Sequence, residues 1–303
     1  MLEVNFNKKF FHLKEKDSFI NVIKSIYNQS WINEIVNFKK SKKKFLIIHN
    51  IPLDQNLPIS PIETGYINHN EIPISINFIK AFMKVLDIHL FAYTDENRGG
   101  MYRNLTPVKK QNMVGSHGTK NFYFHVDNPT YLLKPEYKEC SLNSPEILTI
   151  LGLRSNPMAI TSLLAIDEVI KNLDKTTIDN LKKPIYTVRT PDSFDKKHEI
   201  KNIPILYSYG TEYFTRFDYH NVYSCKEEGI KALSNFKDAI SMSKKIEICI
   251  DKGTMIIFKN QKILHARNEF TTNYDGYDRW LLRAYAMMSV KSLCHKQIIL
   301  DER

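Results

Sequence analysis

The chain has 303 residues, 43% of them hydrophobic, and a formal net charge of +10. This length and composition allow a large core and fit either one large domain or a core with an added helical segment. No segment approaches the roughly 18–20 uninterrupted apolar residues of a membrane helix, and the first residues lack the basic-then-apolar order of a signal peptide. We therefore expect a soluble, cytoplasmic protein.

The first ninety residues are predicted to be mainly helical. Apolar residues with helical spacing indicate a helix over about 18–40 and another over Ile74–Leu90, with a buried strand at Phe45–Ile48 between them. A proline-rich connection follows that strand and includes Pro52 and Pro73. This part of the chain therefore indicates a helical layer beside the first strand of a sheet.

The lysine-rich run from Lys39 to Lys44 precedes the strand at Phe45. One interpretation is a patch that contacts phosphate or a charged polymer, because clustered lysines attract phosphate. The other is a solvated helix end that leads into a buried strand. We favour the second interpretation, because the remaining lysines are spread along the chain.

The four cysteines, Cys140, Cys225, Cys249 and Cys294, are far apart and form no CxxC pair. Scattered cysteines in a cytosolic protein are usually reduced. We expect partly buried thiols and no disulfide framework.

From about residue 121 onward the pattern changes to short β-branched or aromatic runs bounded by turn residues. The predicted strands are Phe122–His125, Ile147–Leu153, Ile185–Arg189, Ile205–Tyr209, Tyr213–Tyr219, Ile246–Asp251, Thr254–Phe258 and Trp280–Met287. Helices are predicted at Ser162–Lys182 and Glu227–Lys244. The order of elements indicates an α+β fold, a barrel or sandwich with helices on one side.

The candidate metal ligands are two histidines and a carboxylate. His125 and Asp127 are two residues apart on a strand, so their side chains point the same way. His265 lies 138 residues after Asp127, in a second strand-like segment. Two histidines and one carboxylate can hold a ferrous ion on one face and leave the other open for a co-substrate and oxygen. An HxD tripeptide alone is also common on ordinary surface strands.

Two arginines follow on the last predicted strand. Arg279 lies fourteen residues after His265, and strand alternation places Arg279 and Arg283 on the same face. Arginines that face inward need anions, and a guanidinium can pair with a carboxylate through two hydrogen bonds. The alternative is that both form structural ion pairs at the rim of the sheet.

Taken together, these motifs resemble the clavaminate synthase-like branch of the TauD/TfdA group of Fe(II)/2-oxoglutarate oxygenases. The chain is particularly similar to hydroxylases of free asparagine, arginine or lysine, over roughly residues 45–290. The landmarks that carry the resemblance are Phe91-Ala92-Tyr93 with Glu96, Gly99-Gly100, Pro107-Val108, Gln111-Asn112, Gly115-Ser116, His125-Val126-Asp127, Pro145 to Arg154, Thr161-Ser162-Leu163, Leu264-His265-Ala266-Arg267 and Asp275 to Trp280.

The resemblance implies a double-stranded β-helix, or jelly-roll, core with an N-terminal helical layer and inserted helices. Because no clear linker divides the chain, we expect a single domain over 1–303, in which 1–90 form the helical layer and first strand and 91–290 form the core. Residues 128–144 are about ten longer than the corresponding segment of the family and form either a lid over the substrate or a surface insertion. We favour the lid, since a segment directly after metal ligands seldom lies far from the site. The cofactors would be Fe(II), 2-oxoglutarate and O2.

By position, the resemblance implies His125, Asp127 and His265 as the iron ligands. Arg279 would bind the distal carboxylate of 2-oxoglutarate, assisted by a hydroxyl from Thr161 or Ser162. This branch usually carries glutamate where the chain has Asp127, so its selectivity does not transfer directly.

The substrate residues implied by the resemblance are Arg283, for an α-carboxylate, and Gln111 or Asn112, for the amino-acid end. The implied reaction is hydroxylation at C3 or C4 of a free L-amino acid, with succinate and CO2 as products. The alternatives are desaturation, oxidation of another small carboxylate or sulfonate, and oxidation of a carrier-tethered amino acid. A non-enzymatic, basic nucleic-acid-binding protein is the remote alternative; the leading hypothesis needs neither nucleic acid nor a membrane.

Overall fold

The computed structural model describes residues 3–5, 37–109, 115–191, 194 and 197–301. Among them are four α-helices: α1 Pro73–Val85, α2 Ile166–Ile170, α3 Lys175–Leu181 and α4 Glu227–Met242. The strands are β1 Glu3–Asn5, β2 Phe45–His49, β3 His89–Tyr93, β4 Tyr102–Leu105, β5 Phe122–His125, β6 Ile147–Arg154, β7 Ile160–Ala165, β8 Tyr186–Arg189, β9 Glu199–Ile203, β10 Leu206–Tyr209, β11 Glu212–Thr215, β12 Val222–Ser224, β13 Ile246–Cys249, β14 Met255–Lys259, β15 Ile263–Arg267, β16 Trp280–Met287 and β17 Ile298–Leu300.

Two sheets position the candidate site. The larger has eight strands in the order β1-β2-β14-β6-β16-β3-β17, with β4 also paired to β16. The smaller has four strands in the order β13-β7-β15-β5. All pairings in both sheets are antiparallel except that of β1 with β2. The predicted α+β mixture of helices and strands is therefore confirmed, and the strands of these sheets pair mainly antiparallel.

Strand β6 shows why the central strands are almost wholly apolar. Its even-numbered Leu148 and Ile150 join the hydrophobic cluster that also contains Leu163 and Ile263 of the smaller sheet. Its odd-numbered residues, among them Leu151, pack on the other face with residues of α1. A strand covered on both faces has no polar side to present. The larger sheet thus lies between α1 and the smaller sheet.

The outer face of the smaller sheet is covered by the later helices. Leu164 and Leu264 on that sheet share a cluster with Val169 of α2, Leu181 of α3 and Phe236 of α4. Because neighbouring residues on a strand face opposite ways, His265 then points to the inner face. The inner space between the sheets is where the candidate site lies.

Helix α1 begins where its first amides find a partner. Pro73 occupies the first turn, and the Asp54 carboxylate accepts hydrogen bonds from the backbone N–H groups of Ile74 and Ser75, at 2.9 and 3.0 Å. The sequence predicted a helix as far as Leu90, but it ends at Val85. Asp87 adopts φ 52°, a left-handed conformation that ends a helix, and β3 begins at His89.

Of the other helical predictions, one is wrong in part and one lies mostly outside the described residues. The predicted helix at Ser162–Lys182 is wrong at its start, because Ile160–Ala165 form β7 and the two helices α2 and α3 follow. Leu163 and Leu164 each pair with residues of β15, and this pairing overrides the helical spacing. The predicted helix over 18–40 lies outside the described residues except for its end, where Asn37–Lys39 form a 3-10 turn.

The expectation of four reduced cysteines is wrong for one pair. Cys140 and Cys294 form a disulfide between positions 154 residues apart, while Cys225 and Cys249 are free thiols. Their sequence spacing gave no indication of this pairing, which depends on where β16 and the chain after it return beside residues 128–144. None of the helices in the described part of the chain is long and apolar enough to span a membrane.

Candidate functional site

The three candidate metal ligands meet between the two sheets. His125 ends β5, Asp127 follows two residues later, and His265 lies in the middle of β15, directly opposite His125 in the strand pairing. One potential ligand atom from each residue lies within 4.8 Å of the others. The Asp127 Oδ1 atom is 3.5 Å from His125 Nε2 and 3.6 Å from His265 Nε2. All three residues are buried.

Neighbouring groups orient the ligands. His125 Nδ1 lies 2.8 Å from the carbonyl oxygen of Tyr123, an arrangement that directs Nε2 toward the cluster. Nε2 of His125 is buried and has no hydrogen-bond partner among the described residues. Asn260 fixes the backbone of Asp127, accepting from its N–H at 2.9 Å and donating to its carbonyl oxygen at 3.0 Å. A buried imidazole nitrogen without a partner, facing a second imidazole and a carboxylate, fits a ferrous ion.

The charges of the cluster favour the ligand forms of His265 and Asp127, while His125 is held toward its protonated form by the neighbouring carboxylate. Burial, followed by the nearby His125, lowers the pKa of His265 to about 4, which keeps its imidazole neutral at pH 7. Burial alone would raise the pKa of Asp127, but Arg283 and the two histidines hold it well below its usual value. Burial opposes the charged form of His125 also, yet Asp127 raises its pKa. Neutral imidazole and ionised carboxylate are the forms that bind metal.

Arg279 lies in the same cavity as the candidate ligands. The cavity is lined by His125, Asp127, His265 and Arg279, together with residues of β6 and β7. Burial and the neighbouring Arg267 lower the pKa of Arg279 to about 9. No carboxylate within salt-bridge distance of its guanidinium exists among the described residues. A buried guanidinium without a counter-charge creates a site for an anion.

The hydroxyl pair predicted beside Arg279 separates onto two faces. Thr161 lines the cavity and is the strand partner of Arg267. Ser162 is the strand partner of Ala266 and does not line the cavity. Alternation along β7 gives the reason, since neighbouring side chains point to opposite sides of a strand. The structure therefore brings Thr161, and not Ser162, to the candidate ligands.

Arg283 reaches the cluster from β16 and is already paired. Its guanidinium donates to Asp127 Oδ2 at 2.9 Å and to Glu96 Oε1 at 2.6 Å. Glu96 is 2% exposed and also accepts from the hydroxyl of Tyr285 and the amide of Asn128. Glu96 is a landmark of the family resemblance for which no role was predicted. An acidic residue between two strands of a buried sheet is a signal that could have identified it.

Two further predictions concern the substrate residues Gln111 and Asn112 and the lid segment 128–144. Gln111 and Asn112 lie outside the described residues. The predicted lid segment, 128–144, is held by the hydroxyl of Tyr93, which donates to the carbonyl oxygen of Asn143 at 2.5 Å, and by an ion pair of Glu136 with Arg216. The disulfide at Cys140 adds a covalent tie. The segment therefore packs against the molecule instead of projecting from it.

Curated sequences include relatives that are oxygenases and hydroxylases. The L-asparagine oxygenase of Streptomyces coelicolor is 25% identical over 66% of this chain and 58% of its own length. The L-lysine 3-hydroxylase of Catenulispora acidiphila is 23% identical over 79% of this chain and 66% of its own. Clavaminate synthase 2 of Streptomyces clavuligerus is 22% identical over 81% and 74%. The chain thus matches less than two thirds of the length of the first two relatives.

Solved structures of non-heme iron oxygenases have the same fold as this chain. Asparagine oxygenase in complex with Fe(II), 2S,3S-3-hydroxyasparagine and succinate superposes with a TM-score of 0.78 at 20% identity, covering 94% of this chain and 93% of that one. The non-heme iron oxygenase OrfP, in complex with Fe and alpha-ketoglutaric acid, gives 0.73 at 16% identity, covering 92% and 86%. No family model matches the sequence. The resemblance predicted from the motifs is nevertheless confirmed. In sequence the chain is similar to clavaminate synthase-like oxygenases, and it shares the fold of asparagine oxygenase and OrfP.

Proposed function

We propose that this protein is an Fe(II)/2-oxoglutarate-dependent oxygenase that hydroxylates C3 or C4 of a free L-amino acid. The observation that carries the proposal is the cavity itself. It contains the cluster of His125, Asp127 and His265 together with Arg279, a buried guanidinium without an anionic partner in the described part of the chain. A metal triad and a carboxylate-binding group in one cavity are what a keto-diacid co-substrate needs.

In this proposal the side chains have separate tasks. His125, Asp127 and His265 hold the ferrous ion, and Asn260 keeps the Asp127 backbone in place. Arg279 binds the distal carboxylate of 2-oxoglutarate, with the Thr161 hydroxyl beside it. The bound iron and 2-oxoglutarate would supply the oxidising power, with O2 as second co-substrate and with succinate and CO2 as products. The chain contributes binding, orientation and exclusion of water.

Arg283 is the proposed anchor for the α-carboxylate of the amino acid. In the structure its guanidinium contacts both Asp127 and Glu96, so an entering carboxylate would compete for one of these contacts. Glu96 is positioned to remain with Arg283 or to face the α-ammonium group. The names of the sequence relatives, an asparagine oxygenase and a lysine hydroxylase, support a small amino-acid substrate.

The finer description of the fold belongs to the same proposal. The two facing antiparallel sheets support a jelly-roll core, and we propose that the chain forms one domain with residues 128–144 as its lid. The position of this segment directly after Asp127, and its ties to Tyr93 and Arg216, support the lid assignment.

The test is a panel of the common L-amino acids incubated with the protein, Fe(II), ascorbate and 2-oxoglutarate. We expect one or a few amino acids to gain the mass of one oxygen atom, with one succinate formed for each product molecule. Iron-dependent succinate formation without any oxidised amino acid would remove the substrate assignment and leave the co-substrate assignment intact. Absence of succinate under all conditions would contradict the whole proposal.

A further inference from the structure

We infer that the protein has a second anion site, which binds a small tetrahedral oxyanion of the phosphate type. The site is a cavity of about 120 Å³, called here the lysine cavity. Five lysines from distant parts of the chain line it: Lys39, Lys40, Lys134, Lys259 and Lys262. It shares no lining residue with the cavity that holds the candidate metal ligands.

The carboxylates of the lysine cavity are already engaged. Glu212 pairs with Lys262. Glu146 lies 3.2 Å from Lys134 Nζ through one oxygen and accepts from the backbone N–H of Met288 at 2.7 Å through the other. Among the described residues, the two acidic groups of the cavity therefore do not balance its five ammonium groups. Lys39 has a further acidic partner there, Asp87, which lies outside the cavity at 2.8 Å.

Lys259 shows the imbalance most clearly. The residue is 6% exposed, and its ammonium group donates to the carbonyl oxygen of Ser41 at 2.7 Å and lies 5.2 Å from the ring centre of Phe38. It has no carboxylate partner among the described residues. Burial, followed by the charge of Lys262, lowers the pKa of Lys259 to about 8. An ammonium group offers three donors, so it retains the capacity to bind an anion.

The shape and composition of the lysine cavity favour a compact ligand. Lys259 and Lys262 are both buried, so a ligand must enter the cavity to reach them, which a long polymer lying on the surface would not do. A tetrahedral oxyanion presents several acceptor oxygens that can meet lysines from different directions, and each charge-assisted hydrogen bond is strong. Lys44, from the same lysine run, instead pairs with Asp167 at 2.5 Å. Only part of the run therefore contributes to the site.

The experiment is a calorimetric titration of the full-length chain with inorganic phosphate, against chloride at matched ionic strength and in a chelating buffer. We expect saturable binding of one phosphate per chain. Lys259→Gln should weaken it by about tenfold, the value of one charge-assisted hydrogen bond. Lys231→Gln, on the exposed side of α4, is the matched control and should bind phosphate like the unaltered chain.

Two further variants keep the test decisive. Lys134 is half exposed, so Lys134→Gln should fold normally and also weaken phosphate binding. Arg279→Gln should leave phosphate binding unchanged, since Arg279 lies in the other cavity. Any of three outcomes would overturn the inference. The first is that phosphate binding is not saturable, and the second is that Lys259→Gln and Lys134→Gln bind phosphate as tightly as the unaltered chain. The third is that Arg279→Gln no longer binds phosphate. The first two outcomes leave the proposed hydroxylation untouched, whereas the third would place the phosphate at the proposed 2-oxoglutarate site around Arg279.

Discussion

Arg279 is a buried cation whose counter-charge we expect a bound ligand to supply. Its guanidinium is buried beside Arg267 and has no acidic partner in the described part of the chain. We expect Arg279→Gln to raise the KM for 2-oxoglutarate by roughly 30- to 150-fold, because a bidentate charge-assisted pair contributes about 2–3 kcal/mol. Succinate formation at varied 2-oxoglutarate concentrations measures the change. Iron affinity serves as the control and should be unaffected; a KM within about threefold of the unaltered value would contradict the assignment.

His117 makes the stability of the protein depend on pH. Burial, followed by the charge of Arg103, lowers its pKa from 6.5 to about 4. The unfolded chain therefore binds a proton at a higher pH than the folded one. The stabilisation is complete above about pH 6.5 and declines by at most about 3 kcal/mol as the pH falls to 4. Urea unfolding of the unaltered chain and His117→Gln across this range tests the prediction, and equal pH dependence in both would refute it.

At the scale of elements, the turn between β14 and β15 connects the two sides of the candidate metal centre. Asn260 in this turn is fully buried, and it exchanges two hydrogen bonds with the backbone of Asp127 and donates a third to the carbonyl oxygen of Pro145, at 3.1 Å. Asn260→Ala should lower the free energy of unfolding by about 3 kcal/mol, because three buried partners are lost or left unsatisfied. It should also weaken iron binding, because Asp127 loses its support.

The control for this variant is Asn156→Ala. Asn156 is only partly buried, and its amide donates to the carbonyl oxygen of Thr271 at 2.9 Å in a hydrogen bond that solvent can reach. We expect a loss below about 1 kcal/mol there, since water can replace the bond. Chemical denaturation measures both values, and similar losses for the two asparagines would show that Asn260 has no special role.

The strands were predictable where a short aromatic or aliphatic run is bounded by polar or turn residues. The predicted strands at 122–125 and 280–287 have the same bounds in the structure, because each is a run rich in aromatic and aliphatic residues that favours a strand from its own sequence. The segment starting at Ser162 was assigned to a helix, and only its pairing with β15 and β13 makes it a strand. Long-range pairing is not visible in local periodicity.

In the candidate site, too, local spacing was predictable and long-range contacts were not. The spacing of His125 and Asp127 and the later His265 allowed the cluster to be predicted, because an i, i+2 pair on a strand shares one face. The contact of Arg283 with Glu96 could not be predicted, since it joins residues 187 positions apart. The lysine cavity was equally hidden, because its members come from three separate parts of the chain.

At the scale of the whole molecule, the Cys140–Cys294 disulfide joins residues 128–144 to the chain that follows β16. A cross-link between distant positions restricts the unfolded chain, and its loss typically costs about 2–5 kcal/mol. We expect a reductant to lower the unfolding midpoint of the unaltered chain to that of Cys140→Ser, in which the reductant has no further effect. Cys225→Ser removes an exposed free thiol and should behave like the unaltered chain.

A midpoint that does not respond to the reductant in the unaltered chain would show that this bond does not stabilise the folded protein. The same comparison in the succinate assay would reveal whether the tie on residues 128–144 affects turnover.

The most direct test of the account is a count of the ferrous ions bound per chain, by anaerobic equilibrium dialysis and elemental analysis. The unaltered protein should bind one, because His125, Asp127 and His265 surround a single position. His265→Ala should bind at least about tenfold more weakly, since one of three protein ligands is gone. It should also form no succinate. Equal iron affinity in the unaltered protein and His265→Ala would contradict the shared site on which the proposed function rests.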